Sequence, residues 1–207
     1  MAFLAATQIR STSWPITVGA EGIAAAQFAR CGFDVLVQAG RDKSWYDLVV
    51  TRTGSLLKVS VKASDDGEWR LTSGYSRNDQ AIGMSFDIRN AIDRWLASHG
   101  SRTICCLVQF HTVSIDEMPR IYLALPAEVA QIMRETASRI GRCALRESYE
   151  WTRPDGSTGI ETLPSAWRFG PQRIEELLSY HAGQVVAAFG AGKSTPSASP
   201  GPELVLH

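Results

Sequence analysis

The run Trp45-Tyr46-Asp47-Leu48-Val49-Val50, the step Thr53-Gly54, and the return Leu56-Leu57-Lys58-Val59-Ser60-Val61-Lys62 constrain this chain more than any other stretch. Two β-prone segments around a glycine-containing step predict an antiparallel hairpin. Side chains alternate across a strand, so Leu57, Val59 and Val61 share one face, and Lys58, Ser60 and Lys62 share the other. The apolar face must meet a core, and the polar face must line a groove or solvent. A hairpin closed near Thr53-Gly54 brings Asp47 roughly opposite the segment from Ser60 to Lys62. A carboxylate and a lysine then share one site.

Phosphodiester hydrolysis needs such a pairing. A hard divalent ion, Mg²⁺ or Mn²⁺ in its place, takes oxygen ligands and keeps several waters, so one or two carboxylates plus substrate phosphate hold it. The ion lowers the pKa of bound water and neutralises charge building on the phosphorus oxygens. A nearby ammonium orients the water or stabilises the same charge. Asp47 is the candidate ligand and Lys62 the candidate ammonium.

On these residues the chain resembles the PD-(D/E)XK nuclease superfamily, the restriction-endonuclease-like fold that includes Holliday-junction resolvases and some homing endonucleases. The resemblance spans roughly residues 17–110. It is carried by Gly19-Ala20-Glu21-Gly22-Ile23-Ala24-Ala25-Ala26-Gln27-Phe28 as the first helix and Gly32-Phe33-Asp34-Val35-Leu36-Val37 as the next strand, together with Tyr46-Asp47 and Ser60-Val61-Lys62. It implies an α/β fold with a mixed β-sheet flanked by helices, and a Mg²⁺-dependent DNA endonuclease. Glu21 matches the helix acid, Asp47 the motif aspartate and Lys62 the motif lysine. The implied metal contacts are Asp47, Glu21 and the backbone carbonyl of Val61. Ser60 stands where such families place Glu or, in some branches, Gln, and a hydroxyl is a poorer Mg²⁺ ligand than a carboxylate. Ser60 therefore takes a weak or water-mediated place. The competing expectation is a nuclease fold that has lost catalysis and binds nucleic acid or a protein partner.

Each residue also has a plainer reading. Asp47 can simply begin a strand, and Lys62 can be an edge-strand lysine that discourages aggregation. Glu21 can be a first-turn carboxylate at the positive end of a helix capped by Thr17. Their conjunction, in this order and with a strand, turn and strand between, favours the site.

Charge is balanced, with 21 Lys and Arg against 21 Asp and Glu, so no basic duplex-binding surface is advertised globally. DNA contact must rest on local clustering, for which Arg41, Lys43, Lys58, Lys62, Arg70 and Arg77 are candidates. Cutting both strands of a duplex calls for a homodimer. Cys31, Cys105, Cys106 and Cys143 show no ligand spacing and read as reduced core residues of a cytoplasmic protein. Met1 to Ala6 lacks the features of a signal peptide, and no segment is long enough to span a membrane.

Farther along, Asp66-Gly67 is a turn, and Glu68-Trp69-Arg70-Leu71-Thr72 alternates as a further strand of the sheet. Residues 73–85 read as a loop crossing the mouth of the site. A helix follows, with Phe86, Ile88, Ala91, Ile92, Trp95 and Leu96 at helical spacing. Strands are expected through Val108 and over Ile121-Tyr122-Leu123-Ala124-Leu125, with a helix opened by Pro126. Asp65, Asp66 and Glu68 decorate a turn or replace the acid missing at Ser60. His111 is a strand-end residue, and Trp45, Tyr46 and Trp69 either pack or stack on bases. The Walker-like Ala187-Ala188-Phe189-Gly190-Ala191-Gly192-Lys193-Ser194-Thr195 lacks the first glycine, the preceding strand and the following helix, which excludes a nucleotide site. The chain thus divides into an N-terminal segment (1–16), the nuclease-like domain (17–140), an extension packed on it (141–185) and a flexible tail (186–207).

Overall fold

The computed structural model describes residues 13–38, 45–75, 84–140, 144–152 and 155–190. Arg41, Lys43, Arg77 and Cys143 lie outside them, as do most of the loop expected at the mouth and the tail beyond residue 190.

Helix α1 (Ser13–Arg30) opens the chain. It starts earlier than expected, so Thr17 sits inside the helix and does not cap it, and Glu21 is no first-turn residue. The five-stranded sheet runs in the order β1 (Asp34–Val37), β2 (Leu48–Arg52), β3 (Ser55–Ser64), β5 (Thr103–Gln109), β6 (Arg120–Ala124). Every pairing is antiparallel except β3 with β5, which is parallel. The fold is therefore mixed α/β, a mixed sheet flanked by helices. The crossover from β3 to β5 passes through β4 (Glu68–Trp69) and α2 (Met84–Ala97). This is the long connection that parallel strands require.

The hairpin forms as its sequence dictates. Arg52 pairs with Ser55, and the two residues between them, Thr53 (φ 47°) and Gly54 (φ 81°), both adopt the left-handed conformation that a tight primed turn needs. Strand alternation then sorts β3. Leu57, Val59 and Val61 join a core with Ala20, Ala24 and Phe28 of α1 and with Ile174 and Leu177 of α4 (Pro171–Gly190). On the opposite face, Cys105 and Leu107 of β5 pack with Ile92 and Trp95 of α2 and with Val129 and Met133 of α3 (Pro126–Ile140). Both faces are covered, which is why β5 is buried along its whole length. Cys105 and Cys106 lie there as free thiols that burial pushes up to about 12 and beyond the usual range, and Cys31 is also free.

One strand expectation needs correction. The segment from Glu68 to Thr72 is no member of the main sheet: only Glu68–Trp69 is strand, paired with β7 (Leu145–Arg146) in a separate ribbon. The turn at Gly67 (φ 86°) redirects the chain, and burial of Trp69, Leu71 and Thr72 against the second core outweighs the alternation. The C-terminal part contributes the ribbon β8 (Ser148–Thr152) and β9 (Thr158–Thr162) and then α4, which runs on to Gly190. The Walker-like run thus begins inside a helix. Among the described residues no helix is long and apolar enough to cross a membrane.

Candidate active site

Asp47 lies one residue before β2, where the ladder to β3 ends. Its backbone N–H donates to Val59 O (2.8 Å), and its carbonyl accepts from Gln38 N–H (2.9 Å). The next donor on β3, the N–H of Val61, has no ladder partner on this side and instead donates to Asp47 Oδ2 at 2.6 Å. A charge-assisted bond of this length fixes the carboxylate against the backbone between Ser60 and Lys62.

Lys62 sits on β3 with Leu107 of β5 as its partner. The strand is interior to the sheet, but at Lys62 only β5 pairs with it, since β2 pairs no farther than Val59. Glu21 reaches the same region from α1. Burial pushes its carboxyl above the usual value, the Asp47 charge pushes it further, and the Lys62 ammonium partly offsets both. Three elements therefore supply two carboxylates and an ammonium, with the fields of Asp47 and Lys62 both reaching Glu21.

Two repelling carboxylates are a donor set that a hard cation relieves, and their number fits an ion that keeps several waters. The set is lean. Among the described residues no group of three or more His, Cys, Asp or Glu side chains could hold an ion. The nearby acids do not enlarge it. Asp66 accepts from Ser64 Oγ, Glu68 N and Arg70 Nη2, and Glu68 bonds Arg146, so both brace the turn and its ribbon. Arg70 is thereby paired and lost to the expected basic cluster, while Lys58 lies over the Tyr46 ring at 5.4 Å. His111 is exposed, its Nδ1 3.3 Å from Asp65 O. Trp69 is a core residue, its indole N–H donating to Lys62 O at 3.1 Å.

Ser60 departs from expectation in its surroundings. It is only 2 % exposed, and with Lys62 it faces a cavity of about 280 Å³ under α2. Trp45, Tyr75, Trp95 and His99 form its aromatic walls, and Leu71 and Ser98 complete it. Sequence reasoning missed this cavity because Trp95 belongs to a helix read only for its apolar spacing. The one available signal was His99, a full turn beyond Trp95 and in ring contact with it (centroids 4.5 Å apart).

No family model and no curated protein matches the sequence. Among solved structures the chain is similar to a bacterial homing endonuclease, I-Ssp6803I, at 16 % identity over 86 % of this chain and 99 % of that one, with a TM-score of 0.40.

Proposed function

We propose that this protein is a metal-dependent DNA nuclease with a PD-(D/E)XK-type site. The observation that carries the reading is geometric: the Asp47 carboxylate is bonded to the backbone between Ser60 and Lys62, and the charges of Asp47 and Lys62 both act on Glu21 of α1. Asp47, clamped by the Val61 N–H, and Glu21 would hold a Mg²⁺ or Mn²⁺ ion, together with the carbonyl of Val61. When bound, that ion supplies a Lewis acid for the phosphoryl oxygens. Lys62 orients the attacking water or stabilises charge on the phosphate. Ser60 adds a hydroxyl to the same strand but no charge. Cleavage of supercoiled, linear, single-stranded and branched DNA with Mg²⁺ or Mn²⁺ tests the reading. Cutting that stops with EDTA and falls at least about a hundredfold in Lys62→Ala and Asp47→Asn is expected; undiminished cutting by both variants would overturn it.

A second reading has its own support in the lean carboxylate set and the burial of Ser60: a nuclease fold retained as a nucleic-acid or protein-binding module. Ser60→Glu separates the two. The cavity beside Ser60 has room for the longer side chain, and a third carboxylate should tighten Mn²⁺ binding in calorimetry and raise cutting. No gain in either measurement favours the binding module.

A further inference from the structure

The cavity beside Ser60 and Lys62 is furnished as a receptor for a flat aromatic ring. Trp45, Tyr75 and Trp95 supply its stacking surfaces. Trp45 is 56 % exposed and stands at the entrance, while Trp95 is buried at 2 %. The walls are held in place: Tyr75 donates its hydroxyl to Ser98 Oγ (2.9 Å), and Ser98 donates in turn to Trp95 O (2.6 Å).

The polar groups left over match the edge of a nucleobase. His99 Nδ1 lies 2.8 Å from Trp95 O. A carbonyl only accepts, so Nδ1 carries the proton, and Nε2 is left with a lone pair. Ser60 is nearly fully buried and lines the cavity, where its hydroxyl can both donate and accept. Together with the Lys62 ammonium these offer an acceptor, a donor-acceptor and a donor around one ring, which is the mixed pattern that base edges present. The volume, about 280 Å³, is near the lower limit of ligand pockets and suits one small ring system better than a dinucleotide.

From this furnishing we propose that the cavity takes a single unpaired nucleobase of the DNA strand, swung out of its stack. The inference rests on the nuclease reading for its choice of DNA, and it names the substrate class: strands with an extruded or unpaired base, such as bulges, junctions and single strands. Lys62 borders the cavity and belongs to the proposed catalytic set, so a base held here sets its own backbone beside the site. Stacking is tolerant of base identity, so this selects for an available base more than for a sequence.

The test is binding without catalysis. Anisotropy titrations in EDTA would compare a duplex with a one-base bulge, the same duplex with an abasic residue at the bulge, and the fully paired duplex. The base-bearing bulge should bind roughly tenfold more tightly than either of the others. Trp45→Ala and Tyr75→Leu, checked for folding by circular dichroism, should bring the three affinities together. Equal binding of the abasic and base-bearing bulges would overturn the proposal, because backbone flexibility would then explain any preference. Inhibition by free adenosine, with no preference for the bulge, would likewise overturn it in favour of a mononucleoside site. A preference for the base without metal-dependent cutting would leave the cavity assignment standing and remove only the nuclease reading.

Discussion

Glu21 is held at a disadvantage. Its carboxyl is raised by burial and by the negative charge of Asp47, so the folded protein holds that proton more tightly than the unfolded chain does. Stability therefore falls as pH rises from the ordinary value of 4.5 through the raised one, and the whole cost is present at neutral pH. Glu21→Gln removes it. In EDTA at pH 7 this variant should melt at a higher temperature than the parent, and the difference should fade below about pH 4, where both side chains are neutral. Saturating Mg²⁺ should raise the melting temperature of the parent more than that of the variant. Identical melting at both pH values, with and without the ion, would mean that Glu21 feels neither Asp47 nor metal. Such residues, tense without a ligand, are where active sites depart from optimal stability.

At the scale of elements, the ribbons are tied to the sheet by a bracket at Glu147, which lies between β7 and β8. Arg120 of β6 grips it through two bonds, Nε to Oε1 at 2.6 Å and Nη2 to Oε2 at 2.7 Å, and Tyr122 donates its hydroxyl to the same carboxylate. Burial pushes the Glu147 carboxyl up, but these donors outweigh it and hold the group below its ordinary 4.5. Its contribution is full above that value and is lost as pH falls through the lowered one. Glu147→Gln should cost about 2 kcal/mol in urea unfolding at pH 7, and the gap should close in acid. A gap independent of pH would remove the charged bracket from the account. Elements with a local signal were the ones legible in advance. The Thr53-Gly54 hairpin carries its turn chemistry and alternation in twenty residues or so of sequence, and Pro126 marks the start of α3. The start of α1 and the shortness of β4 were illegible because packing decided them. Trp69 and Leu71 turn into the second core, and no pattern in the run from Glu68 to Thr72 announces that choice. Asp47 and Lys62 could be paired from the hairpin register. The cavity could not, because Trp95 and His99 meet Ser60 only through the crossover that sets β5 beside β3.

Seen as a whole, the molecule is a sheet with a core on each face, and the candidate site straddles them. Glu21 comes from the helix over one face, while Ser60 and Lys62 look into the cavity under the other. Balanced charge agrees with recognition by local geometry in preference to a broad electrostatic field. The strand that carries Ser60 and Lys62 is the middle one of five, bonded to β2 on one side and to β5 on the other. A middle strand cannot peel away while its neighbours remain. Amide protons of residues 58 and 59, where β2 and β5 both pair with the strand, should therefore belong to the slowest-exchanging class, released only when the entire architecture opens. Evolution could vary the loops and ribbons around such a strand freely, but any change to the strand itself is a wager with the whole fold.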